Sequence, residues 1–171
     1  MRRSAEEELK LASENTETSN RSLVLLDQVN NLLVACESLD ELGRIVTDAL
    51  VDKYGAYFAR LWLKRPGDLC SECALASHCP TKVECLHLIS SSGYYTHIDG
   101  DHRRVPLGAF KIGLIAQGRG RTISNDVVND ERVHNHEWAA EHGLKSFAGF
   151  PLRHGDEVIG EPGLVVPHPR L

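Results

Sequence analysis

Four cysteines crowd one stretch of the chain. Cys70, Cys73, Cys79 and Cys85 follow the pattern C-x2-C-x5-C-x5-C, which places four of the five cysteines within sixteen residues. Soft thiolates converging from a short loop are the donors a thiophilic metal needs. Cys70 and Cys73 can grip one metal, and the longer spacers can return Cys79 and Cys85 to it. Tetrahedral zinc suits this set, and so does an iron–sulfur cluster, which takes four thiolates. The competing readings are a reducible disulfide pair or free thiols. His78 and His87 flank the cysteines, and either could replace one of them as a ligand, although ordinary loop and strand positions account for both. Cys36 lies apart, on the apolar face of a helix, where a thiol packs as a small hydrophobe.

Other candidates are weaker. His134, His136 and Glu137 look like metal donors, but residues two apart on a helix diverge, so a solvated helix start is the better reading. Phe110, Trp62 and Phe150 could line a pocket, or could simply pack a core. No GxSxG, P-loop or zinc-hydrolase motif occurs. The chain is therefore expected to bind rather than to catalyse, with no catalytic residue assigned.

The elements that must carry these residues follow from periodicity. Residues 1–24 are polar and read as an N-terminal signalling helix. From Ser22 the pattern strengthens, with Leu26, Val29, Leu33 and Cys36 on one helical face. Ser38 and Glu41 form a capping box that opens a second helix, which Gly55 stops. Strands are predicted over Ala56–Lys64 and Leu86–Ser92, with the cysteine loop, residues 68–85, between them. A short helix over Leu107–Gly120, a strand over Arg121–Val127, a helix over Glu131–His142 and a hairpin around His154-Gly155-Asp156 complete the order. Residues 161–171 read as an irregular tail, because Pro162 cannot donate to a ladder and three prolines oppose a helix. The sum is an α+β domain with one antiparallel sheet and flanking helices.

Composition sets the class. The 171 residues are 42% apolar and 25% charged, with a net charge of −5. These are values of a soluble globular domain. An acidic balance argues against a nucleic-acid partner. No apolar run reaches the length of a membrane span, and the N-terminus has no secretory pattern, so a cytoplasmic setting and reduced cysteines are expected. All ten aromatic residues lie between Tyr54 and Phe150, which marks the first fifty residues as an appendage rather than core.

Three stretches then resemble a GAF domain, the sensory module of bacterial signalling proteins. They are Leu39–Val46 with the strand Ala59–Leu63, Gly108–Ala116 leading into Arg121–Asp126, and Leu144–Leu152 with Val158-Ile159-Gly160. The resemblance covers residues 25–160 and implies a PAS-like central antiparallel sheet with a ligand pocket. The family's closing C-terminal helix has no counterpart in the sequence after Gly160. A cysteine-rich insert in such a domain resembles those of iron–sulfur redox or oxygen sensors, and Cys79-Pro80 resembles ferredoxin-type ligation, so the cluster is favoured over zinc. Bilin attachment is not expected, because the Cys-His adjacency is missing at Cys85-Leu86-His87. Some GAF-like proteins reduce methionine sulfoxide through cysteines, but four clustered cysteines fit metal ligation better. The resemblance further implies a homodimer through the N-terminal helices and a histidine kinase or other effector as partner. Alternatives are a small-molecule-binding module with structural zinc, and a thiol redox enzyme.

Overall fold

The computed structural model describes residues 2–166. Helix α1 (Arg2–Ala35) is continuous, and α2 (Leu39–Asp52) follows after a break at Ser38. The break is a capping box: Ser38 Oγ accepts from the Glu41 N–H at 3.1 Å, and the Glu41 carboxylate accepts from the Glu37 N–H at 2.9 Å. Leu25, Val29, Leu33 and Cys36 are the half-buried residues near the end of α1, while Leu26 turns outward. The inward face is therefore rotated by one residue from the predicted one at Leu26. Most of α1 leaves its apolar side chains uncovered, Val34 at 89% exposure among them. No helix among the described residues is long and apolar enough to cross a membrane.

The strands are β1 (Phe58–Pro66), β2 (Glu84–Gly93), β3 (Arg104–Pro106), β4 (Thr122–Ser124), β5 (Ser146–Gly149), β6 (Leu152–His154) and β7 (Glu157–Val166). They form one antiparallel sheet in the order β3-β2-β1-β7-β5-β4, with β6 also on β7. Two short helices, α3 (Phe110–Leu114) and α4 (His136–Glu141), lie on the face opposite α2. This is the α+β architecture the sequence predicts.

A bulge sets which side chains reach each face. Leu61 pairs with Ser90 but Trp62 pairs with Leu88, so Ile89 is an extra residue in β2. Leu86 and Leu88 pack with Trp62, while Ser90 and Ser92 turn to α2. There Thr47 Oγ1 meets Ser90 at 2.9 Å and Ser92 at 2.7 Å, and Ser92 donates to Asp48. The α2 interface is thus a satisfied buried hydroxyl network rather than a purely apolar seam.

The predicted irregular tail is corrected over residues 161–166. They form the second half of β7, and residues 167–171 lie outside the described part. Pro162 is tolerated for a local reason. Its carbonyl accepts from the Phe150 N–H, so its nitrogen faces the same edge, where β5 has ended and β6 has not yet begun. A missing donor at that seam breaks no ladder bond.

Beside it, Glu161 is fully buried with neither carboxylate oxygen hydrogen-bonded. Its Oε1 occupies the space a Cβ at Gly149 would need, so a larger residue there would displace the Glu161 carboxyl and its neighbours Ile115 and Phe147. Burial raises the Glu161 pKa well above the ordinary carboxylate value. A raised acid pKa means stability that is complete below the unfolded value, about 4.3, and is lost as pH rises from there toward the folded value. Glu161→Gln is therefore expected to raise the thermal midpoint at pH 7.5 but not at pH 4, by roughly 3 °C for each kcal/mol relieved. An unchanged difference between the two pH values in calorimetry would contradict this assignment.

Candidate functional site

Two sites are built on the sheet. The cysteine loop leaves β1 at Gly67, whose N–H donates to the Val83 carbonyl at 2.9 Å and so ties the loop's ends together. A Cβ at Gly67 would stand 2.9 Å from Cys70 Sγ and 3.0 Å from the Lys82 carbonyl oxygen, so any larger residue would push on the loop. Asp68 takes a two-pronged contact from Arg104 of β3, at 2.7 and 2.6 Å. That contact holds the Asp68 carboxyl well below the usual range. Leu75, buried beside Trp62, Leu86 and Val105, anchors the middle of the loop.

All four expected ligands, Cys70, Cys73, Cys79 and Cys85, line one small void of about 20 Å³. Cys70 Sγ lies 3.6 Å from the Lys82 carbonyl and Cys73 Sγ 3.9 Å from that of Arg104. Burial pushes the Cys85 thiol up to about 11. Among the described residues no three His, Cys, Asp or Glu side chains stand in metal-holding geometry, so the loop gathers the thiols around one space without closing them on a point. Cys36 is elsewhere, its thiol donating to the Leu33 carbonyl at 3.0 Å. His87 is buried and lies 2.9 Å from the Pro66 carbonyl; burial lowers its pKa, so the neutral ring donates there from Nε2. His78 rests on the Phe110 ring, with centroids 5.0 Å apart.

The second site is a cavity of about 140 Å³ between the sheet and the α3 and α4 segments. Phe58, Arg60 and Trp62 reach it from alternate positions of β1, as strand pleating requires. Val165 and Gly163 come from β7, and Phe147 from β5. Phe110 closes one side; its backbone adopts φ 55°, a conformation that costs a non-glycine residue energy, and its ring meets His134 at 4.7 Å. Asn135 caps α4 by accepting from the Trp138 N–H at 2.9 Å, which turns Trp138 toward the cavity. Trp62 Nε1 donates to the His102 carbonyl at 3.0 Å, and burial brings the His102 pKa down to about 4.

Cations surround the aromatic wall. Lys111, only 4% exposed, pairs with Asp130 at 2.9 Å and lies 5.1 Å above the Phe147 ring. Arg132 contacts the same carboxylate at 2.8 Å. Bonding to Arg132, then to Lys111, holds the Asp130 carboxyl well below its ordinary pKa.

Of the residues named from sequence, Phe110 and Trp62 line the cavity and Phe150 does not. His134, His136 and Glu137 are all exposed at the start of α4, as a solvated helix start predicts, and His134 also borders the cavity mouth. Arg60, Lys111, Asp130 and Arg132 were not expected. The one available signal was Lys111 within the apolar run Phe110–Ile115.

A sheet with helices over one face and an aromatic pocket between them is the architecture of a sensory or binding module. The family model of the GAF domain matches residues 36–168, and the chain belongs to that family. The chain is similar to the GAF domain of A. aeolicus nlh2 in an inactive state, at TM-score 0.64 and 13% identity over 86% of this chain and 80% of that one. It is equally similar to the GAF domain of an Acinetobacter phosphoenolpyruvate-protein phosphotransferase, at TM-score 0.64 and 16% identity over 86% and 78%. Free methionine-R-sulfoxide reductase from Neisseria meningitidis, in complex with its substrate, gives TM-score 0.61 and 17% identity over 84% and 72%. No curated protein matches the sequence. The expectation that the chain is no enzyme is thereby corrected: reductases share this fold, so a missing familiar motif does not separate binder from catalyst. None of the residues lining the cavity is a cysteine.

The Asp130 pair sets a measurable cost. Asp130→Asn leaves Lys111 buried beside a neutral partner, and loss of one member of a buried pair is worth roughly 3 kcal/mol. A depressed acid pKa stabilises above the unfolded value, about 3.9, and that contribution fades as pH falls through the folded one. Urea unfolding is expected to show the full deficit at pH 7 and a smaller one near pH 3. A constant deficit would mean the ion pair is not its cause.

Proposed function

We propose that this chain is a sensory module that binds a small organic molecule in the cavity between the sheet and the α3 and α4 segments, and that Cys70, Cys73, Cys79 and Cys85 hold a zinc ion which pins the adjoining loop. The observation that carries the first half is the partly open cavity with an aromatic wall and a cationic rim. Such a combination orients a ligand by few polar groups while apolar contact supplies most of the affinity. The second half rests on the donor set. Four soft ligands face one void, and about 20 Å³ offers room for a single ion more readily than for a cluster. An iron–sulfur cluster, the form favoured from sequence, would require the loop to open. Bound zinc would deprotonate the thiols and lock the segment that touches Phe110.

The uncovered apolar residues of α1, with Leu9, Leu23 and Leu26 among them, support a homodimer formed through that helix and an effector reached along it. Sedimentation of the full chain against a chain beginning at Ser38 tests this: a monomer at high micromolar concentration in both cases would remove the dimer.

Metal analysis of protein purified without chelator is expected to find one zinc per chain and no visible chromophore. Cys70→Ser, Cys73→Ser, Cys79→Ser and Cys85→Ser should each lower zinc affinity by at least about tenfold, while Cys36→Ser leaves it intact. Saturating zinc at about 100 times its dissociation constant should stabilise the fold by roughly 2.7 kcal/mol. Protein that folds fully and takes up no zinc would refute the site, and iron with sulfide and a brown colour would replace zinc by a cluster. Turnover of free methionine sulfoxide would make the cavity an active site rather than a recognition site.

A further inference from the structure

Once the cavity is taken as a binding site, its dimensions and charge specify more than a generic ligand, and the ligand class drawn from them rests on that reading. A space of about 140 Å³ is the size that holds one aromatic ring, since a dry protein cavity near 150 Å³ takes up benzene. The wall is made for a ring: Phe58, Trp62, Trp138 and Phe147 approach from two strands and a helix. A second cavity of about 320 Å³ adjoins the first and shares Arg60, His102, His134, Asn135 and Trp138 with it.

Arg60 stands at that junction, and its charge is the unusual feature. The inner cavity is lined by three cationic residues, Arg60, Lys111 and Arg132. Lys111 and Arg132 share Asp130. Among the described residues no carboxylate lies within ion-pair distance of Arg60. Its Nε donates weakly to Ser91 Oγ at 3.4 Å, and the guanidinium lies over the Phe58 and Tyr95 rings at 5.4 and 5.3 Å. No other side-chain hydrogen bond of Arg60 is found among the described residues, and the residue borders both cavities. In the outer cavity Asp101 and Arg103 carry opposite charges, so they do not neutralise it. A largely desolvated cation without an anion is costly, and the lowering of the Arg60 pKa by burial reflects that cost. A guanidinium fork matches a carboxylate bidentately.

We infer that the cavity takes a small aromatic carboxylate, its ring seated among Phe58, Trp62, Trp138 and Phe147 and its carboxylate on the Arg60 guanidinium. A neutral ring would fill the space but leave the guanidinium uncompensated. A small anion without a ring would meet Arg60 but leave the aromatic wall unfilled.

Titration calorimetry of the full chain with benzoate, benzamide and acetate separates these cases. Benzoate is expected to bind, with benzamide and acetate each at least about tenfold weaker. Arg60→Gln should remove the preference for benzoate over benzamide; the circular dichroism of the variant checks its fold. Benzamide binding as tightly as benzoate to the unaltered protein would overturn this inference, whatever the variant does, and leave the cavity as a site for neutral rings. Failure of both ring compounds to bind folded protein would overturn this inference and the cavity reading together.

Discussion

Strand β7 is the constraint on which the architecture turns. It pairs with β1 along one edge and with two strands in succession, β6 then β5, along the other. Without it the sheet would divide into a β3-β2-β1 half and a β5-β4 half. A central strand needs nearly every donor and acceptor matched. Pro162 sits at the one seam where its edge partner changes, and Gly163 and Val165 beyond it project to the cavity face. The same face receives Glu161, so the strand that joins the two halves also carries a buried carboxyl close to the cavity floor.

Two carboxylates then fix the loops that close the two sites. Asp68 ties the start of the cysteine loop to Arg104 of β3, and Asp130 ties the approach to α4 to Lys111 of α3. Asp68 is paired with one cation and Asp130 with two, so neither loop is secured by apolar contact alone. Phe110 lies between the two arrangements. One part of its surface rests on His78 of the cysteine loop, and another meets His134 at the cavity. Phe110 therefore joins the cysteine loop to the cavity wall, and its own backbone is held at positive φ.

Much of the fold was legible in the sequence because its signals are local. The capping box at Ser38, the alternation of Ala59, Leu61 and Leu63 with Phe58, Arg60 and Trp62, and the glycines that end helices all act within a few residues. The tail failed for the opposite reason. Whether Pro162 breaks a strand depends on which neighbour its nitrogen faces, and that neighbour, Phe150, is set by the sheet rather than by the sequence around it. The face of β2 was equally hidden, since the bulge at Ile89 moves every later side chain to the other side. The thiols stood out by spacing. The cavity's cations did not, because Arg60, Lys111 and Arg132 are far apart in sequence and become one rim only when α3 and the approach to α4 cover the sheet.

The position of Arg60 also bears on how a filled cavity could be felt outside the domain. The cavity lies on one face of the sheet and α2, which continues α1, on the other. The two faces meet through the backbone of β2. Arg60 meets Ser91 in β2, the next residue, Ser92, donates to Asp48 of α2, and Thr47 of the same helix bonds Ser90 and Ser92. The Arg60–Ser91 contact is the weakest of these, at 3.4 Å, and it is made by the side chain whose charge has no acid partner. The others are short, buried and mutually satisfied, so they behave as a rigid unit. The Arg60 contact and the hydroxyl cluster are thus joined only through the backbone of β2 between Ser91 and its two neighbours. α2 in turn meets α1 at the break at Ser38, where one capping box is the joint between the domain and its exposed helix.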